Sequence, residues 1–141
     1  MTEKQDNKTL LTDAQRLHGH LGPFLAIGVK MGTIINRILS ENTEKHITIK
    51  IPNKIPYTCA IDGIQATTHC TVGNQKLTIQ NSDSEITARA TRENPRQEVT
   101  LTTKKRVIEK LMSQIRNDAE LETLAHEIVE TAEDELFNIK S

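Results

Sequence analysis

The segment HGHLGPF, residues 18 to 24, sets two imidazoles one residue apart, directly ahead of a glycine and a proline. Histidine is the side chain most often used near neutral pH to move a proton or to hold a metal. His18 and His20 cannot share a face of one helix, but in a loop both can turn toward one point. A helix opening behind them presents unpaired N–H groups from about residue 24 onward, and the positive end of its dipole. That setting suits an anion, a thiolate or a metal-bound water, against the plain alternative of one capping and one solvated histidine. Further along, Cys59 stands at the expected start of another helix, where the dipole lowers a thiol's pKa and enriches the thiolate. The thiolate both binds metals and acts as a nucleophile. Asp62 follows within the same turn and can accept a hydrogen bond from a histidine, fixing its tautomer. Set against these roles are a small buried hydrophobe for Cys59 and an ordinary first-turn acid for Asp62.

Cys70 is a weaker ligand on geometric grounds. One unbroken helix from 59 to 70 returns Cys70 to nearly the same face, but roughly 16 Å further along the axis. An ion with bonds near ~2.3 Å cannot hold both sulfurs across that gap. Either the chain folds back after Thr67 or Thr68, or Cys70 serves another place, such as the site of a partner protomer. The same distance argues against a Cys59–Cys70 disulfide, which needs Cα atoms within about 7 Å. His69 adjoins Cys70 and is a further candidate ligand; His46 and His126 read as surface residues. Arg89, Arg92 and Arg96 either gather to hold an anion or form a strand's solvated side. The segment TVGNQK has one glycine and is no phosphate loop.

The elements that must position these residues follow from periodicity. From Leu10 to Leu39 apolar residues recur at helical spacing, interrupted by Gly19, Gly22 and Pro23. This predicts a short helix near 10–18 and a long one opening at Pro23, where proline's missing N–H costs nothing. Gly28 and Gly32, one turn apart, offer a face for helix–helix contact or dimerisation. HITIKI alternates strictly and predicts a strand, ended by Pro52. CAIDGIQATTHC predicts a short helix with Thr58 as N-cap. KLTIQN and EITARAT predict two strands joined as a hairpin through Asn81, Ser82 and Asp83, and QEVTLTT adds another. Thr103 opens a helix, and Asp118 caps a last, acidic one reaching Leu136. Two N-terminal helices, a central antiparallel sheet of about four strands and two C-terminal helices make one α+β domain over 10–141, behind a mobile tail at 1–9.

Composition bounds the rest. The chain has 141 residues, 35% hydrophobic and only 2% aromatic, so its core is aliphatic and a core shared with a second copy would help. A net charge of −1 gives no global pull toward nucleic acid or an anionic membrane. No apolar run approaches the roughly 20 residues of a membrane span, and the polar first residues lack a signal peptide's apolar segment. The expectation is a cytoplasmic protein with reduced cysteines, in which histidine and cysteine together favour a metal or a reactive thiol.

Together, HGHLGPFLAIGVKMG and CAIDGIQATTHCTVGN resemble the core domain of the E-subunit family of formylmethanofuran dehydrogenase. Members show HGHxCPG leading into a helix that ends in LGxRMG, then C-x-x-D-x-I-Q closing in G-C-T-x-G-K. Here Gly22 replaces the motif cysteine, Phe24 its following glycine, His69 the glycine before Cys70, and Asn74 the motif lysine. The resemblance implies an intertwined homodimer with a metal-associated cleft, and a core-only member without the C-terminal zinc finger of some relatives. It supplies no reaction. The resulting expectation is a zinc or other transition-metal site from His18, His20, Cys59 and Cys70. Cys59 and Asp62 stand as the catalytic candidates, and an open position remains for water or substrate. Two rivals stand beside it: a metal-free thiol enzyme or carrier using Cys59, and a non-catalytic accessory or sensing subunit of a larger enzyme complex.

Overall fold

A computed structural model describes residues 3–141, with side chains from Asn7 onward. The elements are α1 (Glu3–His18), α2 (Pro23–Leu39), β1 (Lys45–Ile51), α3 (Cys59–Thr68), β2 (Leu77–Asn81) and β3 (Thr87–Arg92). They continue with β4 (Gln97–Thr103), α4 (Lys105–Arg116), α5 (Leu121–Glu130), the single turn α6 (Glu133–Leu136) and β5 (Phe137–Lys140). Of the stretch expected to be a tail, residues 1 and 2 lie outside the described residues, and α1 already runs from Glu3.

α2 is the hub. Its apolar run is continuous because the helix is buried on nearly every side, from Pro23 and Phe24 to Leu39. Even Lys30 is buried, and its Nζ donates to the carbonyls of Val129 (3.1 Å) and Thr131 (3.0 Å). A lysine so placed satisfies carbonyls at the C-terminal end of α5, where a helix leaves its last carbonyls without intrahelical partners. The glycine face of α2 is filled within the chain. A Cβ on Gly28 would run into the carbonyl of Ala60, and one on Gly63 into the backbone of Leu25 and Val29. α2 and α3 therefore meet backbone to backbone, and this contact fixes where Cys59 stands relative to the start of α2.

The α+β class holds, and the sheet corrects the expectation in two ways. It has five strands in the order β2-β1-β3-β4-β5, and it is mixed rather than antiparallel. β2 lies parallel to β1, with Ile47 opposite Leu77 and Ile51 opposite Asn81, and α3 forms the crossover between them. The expected hairpin through Asn81–Asp83 is absent, and β3 instead flanks the other side of β1, antiparallel, with Ile49 opposite Ala88. The reason is burial. β1 buries Ile47, Ile49 and Ile51 completely and takes a neighbour on each side, whereas β2 buries only Leu77 and suits an edge.

The expected last helix is also divided. α5 ends at Glu130, and Phe137–Lys140 pairs with β4, Leu101 opposite Ile139, as the fifth strand. Thr103 belongs to β4, with α4 starting beyond Lys104. Asp118 takes a left-handed φ of 59° in the corner after α4 rather than capping α5.

Candidate metal centre

His18 closes α1 and His20 follows a single glycine. Gly19 has a φ of 100°, a region that L side chains rarely adopt, and its amide still bonds to the carbonyl of Gln15 at 2.7 Å. The reversal at Gly19 brings the two rings together, with centroids 4.4 Å apart and planes tilted by 41°. Pro23 then starts α2 from Gly22. Across the α2–α3 contact, α3 opens at Cys59. Thr58 makes no capping hydrogen bond; the opening turn is wound by backbone bonds from Cys59 to Pro56 and from Ala60 to Tyr57, both 3.1 Å.

The structure brings three of the sequence candidates to one place. One ligand atom each from His18, His20 and Cys59 lie within 4.8 Å of one another. Tetrahedral zinc, with bonds of roughly 2.0–2.3 Å, holds its donors somewhat closer than this. His20, exposed beside a glycine, is the ring with freedom to close the difference. Asp62 stands where a supporting carboxylate is needed: its Oδ2 lies 2.7 Å from His18 Nδ1. A carboxylate accepts, so Nδ1 carries a proton, and in the neutral ring Nε2 is then the lone-pair nitrogen. That Nε2 is buried and has no hydrogen-bond partner among the described residues. Buried polar atoms are seldom left so, and the role of metal ligand is one that accounts for it.

Gln65 belongs to this arrangement, although it was not among the sequence candidates. Its Nε2 donates to Asp62 Oδ1 at 3.0 Å, while its Oε1 accepts from the amide of Val72 at 3.0 Å. Asp62 is thus held at both oxygens. The available signal was spacing: Gln65 is one helical turn beyond Asp62, where side chains meet.

Cys59 departs from the expected lowered pKa. It is 7% exposed, and burial pushes its thiol up, with the nearby Asp62 carboxylate adding to the rise. The helix start does not outweigh these two effects.

The other candidates lie elsewhere. α3 does end at Thr68, and His69 turns the chain in a left-handed conformation at φ 61°. The turn carries Cys70 toward β1, where its sulfur donates to the carbonyl of Lys45 at 3.4 Å and its amide bonds to Thr68 Oγ1. Cys70 is 2% exposed, burial raises its pKa, and it is not part of the three-residue group. His69 is exposed and outside it too. Both cysteines are free thiols, in keeping with their separation along α3. His46 and His126 are at the surface. Arg89 forms a paired contact with Glu98, Arg96 bonds Glu93, and Arg92 donates to the carbonyl of Leu39, so the three do not converge on an anion site. No helix among the described residues is long and apolar enough to cross a membrane.

Residues 17–140 match the family described as FmdE, Molybdenum formylmethanofuran dehydrogenase operon. A curated protein of Archaeoglobus fulgidus, named "Probable S-adenosyl-L-methionine-binding protein", is 36% identical over 73 residues, 48% of this chain and 19% of that protein. The chain thus spans about a fifth of that relative's length.

Proposed function

The chain belongs to the FmdE family, and on that premise we propose that it binds a transition-metal ion, zinc, through His18, His20 and Cys59. One observation carries the reading: a ligand atom from each of His18, His20 and Cys59 lies within 4.8 Å of the others, and the Nε2 of His18 is buried with no hydrogen-bond partner among the described residues. Imidazole and thiolate together select zinc over magnesium or calcium. When bound, such an ion supplies Lewis acidity at the position that three protein donors leave open. The residues do the remaining work. Asp62 keeps the Nδ1 proton of His18 in place, Gln65 keeps Asp62 in place, and Cys59 gives up its thiol proton when the ion loads. Metal-assisted chemistry on a small molecule is the activity this arrangement fits.

A metal-free role for Cys59 as a nucleophile has less support, since burial and Asp62 favour the protonated thiol over the reactive thiolate. The accessory reading rests on the operon in the family's description alone. A homodimer in the cytoplasm completes the proposal, and light scattering of the 15.8 kDa chain tests the dimer.

The deciding experiment is elemental analysis of the purified protein and of Cys59→Ser. About one zinc per chain in the first, and its loss in the second, is expected. Equal metal in both would overturn the proposal.

A further inference from the structure

A cavity of about 280 Å³ opens beside the His/His/Cys group. Phe24, Leu25, Ile55, Pro56, Ile115 and Leu121 bound it, and His20 and Cys59 form part of the same lining. Its walls come from the loop before α2 and that helix's first turn, the connection into α3 with its first residue, the last turn of α4, and the first residue of α5. Phe24, Leu25 and Cys59 are buried, while Ile55 and Leu121 are exposed at 83% and 39%. The hollow therefore has a closed floor and an open rim, unlike a flat patch awaiting another protein's surface. Its volume sits just below the roughly 300–1,000 Å³ usual for small-molecule sites. Among the described residues, no aspartate, glutamate, lysine or arginine lines it.

We propose that this cavity receives the apolar part of the molecule bound at the metal, a small ligand with a coordinating head and an uncharged hydrocarbon tail of a few carbons. The inference rests on the metal reading above and adds the class of ligand to it. Two of the three proposed metal ligands are also cavity wall, so a head group at the open position shares space with the hollow. A charged tail would lose its water there and find no opposite charge, which is costly. A hydrocarbon tail gains with each methylene that leaves water.

Alkylhydroxamic acids test this, because the head coordinates metals while the tail is lengthened from acetyl to hexanoyl. The full chain is loaded with cobalt(II), and binding is read from the visible absorption of the metal. Affinity is expected to rise about three- to fourfold per methylene until the cavity is filled. Succinic acid monohydroxamate, with a carboxylate at its end, is expected to bind no tighter than acetohydroxamate. Leu121→Glu, at an exposed rim position, is expected to flatten the series while cobalt per chain is unchanged. A flat series in cobalt-loaded wild-type protein overturns the cavity assignment and leaves the metal reading standing. Failure to retain cobalt overturns the metal reading, and the cavity assignment with it.

Discussion

α3 carries a buried cysteine at its first residue and leads into a second one just past its last, and the two ends have become different things. Cys59 faces two histidines, with a carboxylate close by that is anchored by Gln65. Cys70 faces the strand, and its sulfur is spent on the carbonyl of Lys45. Both thiols are pushed up in pKa, chiefly by burial. Burial and thiol chemistry are therefore common to both ends and distinguish nothing. What separates them is the company of other donors, and at Cys59 that company comes from α1 and from the loop after it.

The comparison can be broken at both ends at once. Gly63 lies between the cysteines, and a side chain there would collide with the backbone of Leu25 and Val29. Gly63→Val is expected to cost about 3 kcal/mol or more, by overpacking, and to abolish metal uptake by unseating α3. A normal thermal melt for that variant would contradict the backbone contact. Asp62→Asn acts at the Cys59 end alone: the fold should survive, and zinc affinity should fall about 10–100-fold in a chelator competition.

Acidity sharpens the contrast further. With its pKa above the ordinary value near 9.0, Cys59 is a thiol at pH 7 to 9 and must lose its proton to bind metal. Zinc affinity should then climb about tenfold per pH unit across that range, with about one proton released per ion from this group. Both thiols also bear on the stability of the metal-free chain. A raised folded-state pKa contributes stability that is whole below the unfolded value and is lost as pH rises through the raised one. Melting curves should therefore fall above about pH 9, with Cys59→Ser and Cys70→Ser each lessening the decline. The smallest effect belongs to Cys70→Ser at neutral pH: about 1 kcal/mol of stability and no change in bound metal.

Much of this was legible in residue patterns, and the gaps have physical causes. Pro23 at the first position of α2 and the alternating isoleucines of β1 are local signals, and they marked those elements correctly. Each of the two segments alone also admitted a plain structural role, and it was their joint resemblance to one family that suggested His18, His20 and Cys59 would meet. Strand partnership did not show, because turn residues at 81–83 look the same whether the next strand pairs locally or crosses to the far side of β1. β5 was hidden by coincidence of period: helical spacing runs through Leu136, and the strand offers only four residues beyond it. Cys70 stayed open because its destination depends on one left-handed residue, His69, whose φ no spacing argument reveals.

Gly22 stands at the mouth of α2 with φ at −150°, extended backbone open to any residue, and apart from its chain neighbours no atom of the described residues lies within 4 Å of where a side chain would begin. Nothing in the scaffold demands that it be bare. Identity at that one position is thus free to vary without disturbing the helix behind it. Gly22 lines the same hollow as His20 and Cys59, so what the chain presents to that hollow can change by point substitution while the architecture stays as it is.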